Sequence, residues 1–315
     1  MPFAFPFPGA PVLSGTVLRA LGGVYEVETE EGVMEASLRG RLKRESRLGD
    51  KVVVGDRVEV ARDDAGPETA WTIESVAERR TVLARKAPGK APRAKVIVAN
   101  VDQVLIVFSA AKPAPHLRML DRFLVICEAS DLEAVIVVNK LDVSGEAEAR
   151  ALFRPYEVAG YPVLYTAAKQ GLGVDSVRDA ICGRLSALAG PSGVGKSSLL
   201  NAVQPGLGLR VAAVSEAVNK GRHTTVTAQL IPLECGGYVA DTPGLREVGL
   251  WDVDLDDLDF RFPEFAALMG TCRYTTSCTH IHEPGCAIRQ AVDAGTIDAG
   301  RYESYRRMML GEDDE

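Results

Sequence analysis

The stretch Gly190-Pro191-Ser192-Gly193-Val194-Gly195-Lys196-Ser197-Ser198 decides how the rest of the chain is read. It fits G-x-x-x-x-G-K-[ST], with an apolar run, Leu185–Ala189, before it and a helical pattern (Leu199, Leu200, Asn201) after it. That strand–loop–helix setting is what the motif requires. Glycines let the backbone turn so that N–H groups point inward around a polyphosphate, which side chains would forbid. Lys196 then reaches the β- and γ-phosphates, and the Ser197 hydroxyl is placed to ligate Mg²⁺. The following helix adds its N-terminal partial positive charge. Gly190, Ser192, Gly193, Val194, Gly195 and Ser198 complete the candidate phosphate contacts.

Upstream, Val104-Leu105-Ile106-Val107-Phe108 is a near-continuous apolar run, as expected of a parallel strand buried on both faces. A helical pattern follows, then a second run at 134–138 that ends in Asn139-Lys140-Leu141-Asp142. N-K-x-D at a strand's end resembles the guanine-specificity motif of GTPases. Asp142 would accept from guanine N1–H and the exocyclic amine, Asn139 would contact the ring edge, and the Lys140 stem would lie along the base plane. Buried hydrogen bonds of this kind discriminate strongly, because the wrong base leaves polar groups unpaired. A further strand at 162–165 and Thr166-Ala167-Ala168-Lys169 resemble the loop that offers a backbone N–H, here that of Ala168, to guanine O6.

Downstream lies Gly221-Arg222-His223-Thr224-Thr225, then strands at 226–233 and 238–240, closed by Asp241-Thr242-Pro243-Gly244. D-x-x-G resembles switch II: Asp241 would hold Mg²⁺ through water and the Gly244 N–H would sense the γ-phosphate. Thr225 would be the switch I threonine that closes on Mg²⁺, with Thr224 as the alternative. GTPases usually run phosphate loop, switch I, switch II, N-K-x-D and O6 loop. Here the last two come first, and all five keep their cyclic order. The core is therefore read as a circularly permuted α/β P-loop GTPase, cut between the switch II strand and the strand at 104–108. A permuted sheet is feasible because contacts, not chain ends, define the core. The residue after D-x-x-G is Leu245, where many GTPases carry a glutamine that orients water. His223 is the candidate that replaces it in catalysis beside Lys196; it fits equally a switch-stabilising or RNA-facing role. Arg222 and Arg246 flank the switches.

Residues 12–80 read as short alternating strands with turn residues, beginning with a hairpin about Gly22-Gly23 and continuing at 34–38, 52–54, 57–61 and 70–73. Such a pattern predicts a small β-barrel, an OB-fold. Positive charge concentrates at Arg39, Arg41, Lys43, Arg44 and Arg47, and again at Arg79, Arg80, Arg85, Lys86, Lys90, Arg93 and Lys95. This fits a phosphate backbone, and equally a solvated face and a charged linker at 81–95. Residues 1–11 read as a flexible tail without signal-peptide features. The GTPase is expected over 96–250 and a helical zinc domain over 251–315.

In that last segment Cys272, Cys278, His280 and Cys286 form C-x₅-C-x-H-x₅-C. Three thiolates and an imidazole within fifteen residues suit one closed, tetrahedral, structural Zn²⁺ site, with His282 as the competing nitrogen ligand. The acidic run from Trp251 to Asp259 reads as a solvated connector, and Arg289, Arg301, Arg306 and Arg307 as exposed residues on helices. The chain has 315 residues, a net charge of −7 and six cysteines. Its size calls for more than one domain, and its charge argues against a uniformly basic nucleic-acid coat. The cysteine pattern suits a reducing compartment and a metal better than a disulfide framework. No apolar run approaches the ~20 residues of a membrane span.

Barrel, permuted GTPase with G-P-S-G-V-G-K-S-S and G-R-H-T-T, and cysteine–histidine module resemble, in this order, the small ribosomal subunit biogenesis GTPases of the RsgA/YjeQ family. Asn100-Val101-Asp102-Gln103 and His282-Glu283-Pro284-Gly285-Cys286 add to the resemblance. It implies a cytoplasmic, monomeric GTP phosphohydrolase that binds the small subunit and its rRNA late in assembly, hydrolyses GTP to GDP and leaves. One departure is the spacing of the first two cysteines, where five residues intervene instead of the family's general four. Two other classes are weighed beside this one. An RNA-binding scaffold with little turnover is kept open by Leu245, and an ATP-dependent P-loop enzyme is opposed by Asp142.

Overall fold

Leu13, Val17 and Leu18 are all buried in β1 (Val12–Leu21), although strict alternation would expose one of the last two. The register shifts between Val17 and Arg19, so Leu18 is an extra residue in a bulge and the alternation is broken there. The computed structural model describes residues 12–40, 42, 51–63, 70–86, 94–207, 228–241 and 255–312. β2 (Val24–Thr29), β3 (Gly32–Leu38), β4 (Arg57–Asp63) and β5 (Ala70–Val76) complete the first sheet. Pairing runs β1–β2–β3–β5–β4 and back to β1, so five strands close into a barrel. Closure leaves no free edge, and Val17, Val27, Val60 and Ile73 at its centre are fully buried. Each such side chain contributes on the order of 1.5–3 kcal/mol.

The strand expected at 52–54 is reduced to a single bridge, Val54 to Val98. Both ends of the stretch read as a linker at 81–95 are β-structure, β6 (Val82–Lys86) pairing antiparallel with β7 (Ala94–Ala99), and residues 87–93 lie outside the described part of the structure. Two of the basic residues are already spent. Arg79 is paired with the fully buried Asp56 at 2.7 Å, and Arg80 with Asp102 at 3.0 Å.

The described residues group into two compact units. One holds the chain up to Asp102 with Cys182–Ala187 and Gly221–Gly244; the other holds Gln103–Ile181, Leu188–Lys220 and Leu245–Glu315. In the second, β8 (Gln103–Ser109) and β9 (Glu133–Asn139) are parallel, Val104 opposite Ala134, with helix α1 (Leu117–Ala129) between them in sequence. Both are buried almost throughout, as their unbroken apolar runs require. After the short helices α2 (Leu141–Ser144) and α3 (Glu146–Val158), β10 (Val163–Tyr165) adds to β9. Helix α4 (Val174–Ile181) precedes β11 (Leu185–Ala189), which feeds the glycine loop and helix α5 (Lys196–Val203). In the first unit, β12 (Gln229–Pro232) and β13 (Tyr238–Asp241) form a hairpin, and β13 pairs parallel with the start of β11.

Cys182 and Cys235 are disulfide-bonded, against the expectation of reduced cysteines. No local pattern announces this pair. It follows from register: Leu185 opposes Tyr238 where the two parallel strands begin, so the third residue before each, Cys182 and Cys235, falls at the same level.

The C-terminal segment packs on Val125 of α1 through Leu258, Phe262, Phe265 and, on helices α6 (Ala287–Asp293) and α7 (Ala299–Leu310), Ile288 and Tyr305. Arg301, expected to be exposed, is only 2% exposed. Its guanidinium donates to Asp121 at 2.8 Å and, in a fork, to Glu264 at 2.8 and 3.0 Å. Burial works against its charge, but these two carboxylates raise its pKa above the usual arginine value. Two carboxylates make burial of this cation tolerable, where an unpaired one would cost several kcal/mol.

Candidate nucleotide site and metal centre

Gly190 leaves β11 at φ +123°, and a Cβ there would sit 2.1 Å from the Val107 carbonyl oxygen of β8. Gly195 has φ +99°, and its Cβ would meet the Asn139 amide at 2.5 Å. Both positions exclude side chains for steric reasons as well as for backbone conformation. Lys196, in the first turn of α5, donates to the carbonyls of Gly190 at 2.5 Å and Pro191 at 2.6 Å. The ammonium is thereby folded back over the loop it belongs to.

Asn139, at the end of β9 and 2% exposed, is the hub of the site. Its Nδ2 donates to the Val194 carbonyl in the phosphate loop at 3.0 Å. Its Oδ1 accepts from the Thr166 hydroxyl at 3.0 Å and from the Ala168 N–H at 3.1 Å. One side chain therefore joins the three loops that were read separately as phosphate, base-specificity and O6 loops. A base contact from Asn139 would use the remaining Nδ2 hydrogen, and one from Ala168 would share its N–H. Lys140 takes a left-handed conformation, φ +67°, and its ammonium donates to Gly193 O at 2.6 Å and Lys112 O at 2.5 Å. Partial burial and the neighbouring Lys169 lower its pKa, with Asp142 opposing. Asp142 stands exposed in α2 beside this bridge.

The Asp241 backbone ends β13, opposite Gln229. Its side chain lies outside the described part of the structure, as do Arg222, His223, Thr224, Thr225, Gly244, Leu245 and Arg246.

In the C-terminal module, ligand atoms of Cys272, Cys278, His280 and Cys286 lie within 4.8 Å of one another, all four residues buried. His280 Nδ1 is 3.5 Å from the Cys272 sulfur and 3.4 Å from that of Cys286, and those sulfurs are 3.9 Å apart. Tetrahedral Zn²⁺ with Zn–S of about 2.3 Å needs sulfurs about 3.8 Å apart, so the four donors fit. His282 is exposed and outside the group. Between Cys272 and Cys278 the chain makes a 3₁₀ turn, Thr275–Ser277, whose Thr275 has φ +44°. Burial pushes the Cys278 thiol up to about 12, so deprotonation there needs a cation.

Supporting groups escaped the sequence reading. Asp259, assigned to a solvated connector, stands 3.5 Å from His280 Nε2, where a carboxylate orients the imidazole. Glu283 accepts from the N–H groups of Thr279, Ile281 and His282 and from the Thr279 hydroxyl. Partial burial opposes its charge, but these donors outweigh it and hold the carboxyl at about 2.

A family model described as RsgA GTPase matches residues 76–251, and one described as RsgA N-terminal domain matches residues 14–67. The chain belongs to the RsgA family of GTPases. A relative named small ribosomal subunit biogenesis GTPase RsgA from Gemmatimonas aurantiaca is 54% identical, covering 94% of this chain and 96% of its own. One of the same name from Moorella thermoacetica is 47% identical over 93% of this chain and 95% of its own. The crystal structure of YjeQ from Thermotoga maritima superposes with a TM-score of 0.77 at 35% identity, covering 96% of this chain and 100% of that one. YloQ, described as a circularly permuted GTPase, gives 0.74 at 28% identity over 98% of this chain and 97% of that one. The RsgA-family fold thus comprises the closed barrel, the permuted GTPase and a C-terminal cysteine–histidine cluster compatible with zinc. No helix among the described residues is long and apolar enough to cross a membrane.

Proposed function

We propose that this RsgA-family chain binds the small ribosomal subunit and its rRNA during late maturation, hydrolyses GTP to GDP and phosphate there, and then dissociates. The observation that carries the reading is the Asn139 hub, because its three bonds preassemble a site for a guanine nucleotide from three separate loops. Asp142 reads the guanine edge and the Ala168 N–H its O6. The amides of Gly190 and of Ser192 through Gly195 cradle the phosphates with Lys196, Ser197 and Ser198. Ser197 and Thr225, with Asp241 through water, would hold Mg²⁺, which would supply charge neutralisation for the phosphates. Gly244 senses the γ-phosphate, and His223 orients the attacking water in place of the glutamine that Leu245 is not.

The cysteine–histidine group holds one structural Zn²⁺, with no open position for catalysis. Domain limits follow the same reading: barrel at 12–80, connection at 81–95, GTPase at 96–250 and zinc module at 251–315. Work on a ribosomal particle places the protein in the cytoplasm, and it acts as a monomer. GTP turnover of the purified protein, alone and with small or large subunits, tests the proposal. Strong stimulation by small subunits only is the expected result. Tight GTP binding without stimulation would favour a scaffold and overturn the proposal.

A further inference from the structure

β13 is tied to the barrel at both of its ends, through β12 at one and directly at the other. At one end, Arg19 of β1 opposes Gln229 of β12, and Gln229 opposes Asp241 of β13. Three residues thus stand abreast across three strands, each step about 4.8 Å. Among the described residues β1 and β12 share this one ladder pair, and a single pair fixes register weakly. At the other end, the Tyr238 hydroxyl donates to Glu28 Oε2 at 2.5 Å across 210 residues of sequence. Glu28 sits on β2, opposite Thr16 of β1. Two points fix an orientation where one allows rotation. Burial first, then Glu28, raises the Tyr238 phenol to about 12, so it stays a donor throughout the ordinary pH range. A donor to a carboxylate makes one of the stronger hydrogen bonds available to a side chain.

We infer that Tyr238 is a positioning residue that makes the barrel and β13 one mechanical element, coupling the barrel to the candidate magnesium-side aspartate, Asp241. Nucleotide state then alters the order of β1 and β2, and by reciprocity a partner loading the barrel alters nucleotide preference. This rests on the proposed role of Asp241. The permuted order sends switch II onward past residue 250, whereas this connection runs back to the N-terminal barrel.

The test is hydrogen exchange of peptides covering Val12–Leu21 and Val24–Thr29 with GDP or a non-hydrolysable GTP analogue bound. Nucleotide affinity is measured on the same samples. Wild type shows about a fivefold difference in exchange between the two nucleotides, the ratio equivalent to one hydrogen bond. Tyr238→Phe keeps the ring and its packing but abolishes the difference, and so does Glu28→Ala. Glu28→Gln, which retains an acceptor, preserves most of it, a rescue that loss of packing alone would not show. The double variant Tyr238→Phe/Glu28→Ala is no worse than either single one. A wild-type protein that binds both nucleotides with no difference overturns the coupling and leaves the GTPase reading intact; so does a difference that survives Tyr238→Phe. Failure to bind guanine nucleotides overturns both.

Discussion

Replacing Asn139 with alanine removes three hydrogen bonds at once from a position 2% exposed to solvent. At about 1 kcal/mol net for each bond the loss is about 3 kcal/mol, and more if the buried Val194 carbonyl finds no other donor. The three bonds join loops to one another, so the loss falls on their preassembly. A nucleotide must then order the loops itself, and its affinity drops by the corresponding factor, about 150-fold. Asn139→Asp separates the contributions: Oδ1 still accepts from Thr166 and Ala168, but the donor to Val194 O becomes a buried carboxylate facing a carbonyl. That variant binds at least as poorly as alanine, although it retains two of the three bonds. The assay is a titration with a fluorescent GDP analogue, with thermal unfolding of the nucleotide-free protein as control. If Asn139→Ala binds within about threefold of wild type and melts at the same temperature, the hub does not organise the site. The reasoning from these three bonds then fails.

Reducing Cys182–Cys235 reopens a loop spanning 53 residues, worth about 4 kcal/mol in the chain-entropy account, so Cys235→Ser shifts the denaturant midpoint down and reductant no longer affects it. Arg301→Met leaves Asp121 and Glu264 facing each other without a cation and costs about 3–5 kcal/mol in equilibrium unfolding, whereas the exposed Arg150→Ala costs under about 1 kcal/mol. Metal analysis finds one zinc per chain, which Cys272→Ser or a strong chelator removes, and near-ultraviolet dichroism of the aromatic cluster around Phe265 and Tyr305 collapses with it. Glu283, held down at about 2, contributes stability that is present above its unfolded value near 4.3 and is lost as pH falls toward 2. The melting temperature of Glu283→Gln is therefore lower at neutral pH and falls less steeply between pH 5 and 3.

The motifs were legible because phosphate and guanine recognition fix short spacings, and a permutation leaves spacings inside each motif untouched. The barrel was legible from alternation in β1 to β5, helped by its turns. What the sequence hid depends on register between distant strands. Cys182 meets Cys235 only because Leu185 aligns with Tyr238, and nothing in either local sequence names the other as its partner. The segment at 81–95 reads as charged and proline-containing, so its basic composition masked Val82 and Leu83, which pair in β6 with Ala99 and Val98 of β7.

The same limit governs charge. Arg301 and Arg306 look alike in a helix with little apolar periodicity, yet Arg301 is buried while Arg306 pairs with Glu303 near the surface. The difference lies in Asp121 and Glu264, which approach only after α1 and the segment at 263–268 have packed. Asp259 is the counterpart at the metal centre, drawn out of an acidic run by the position of His280. A cation or carboxylate is thus assigned to solvent or interior by its partners, and its own sequence neighbourhood is a poor guide. For a chain whose order has been permuted, that argues for reading motifs by spacing and charges by tertiary pairing. It is also why the bond between Tyr238 and Glu28, invisible in either local sequence, sits where the barrel meets the strand ending in Asp241.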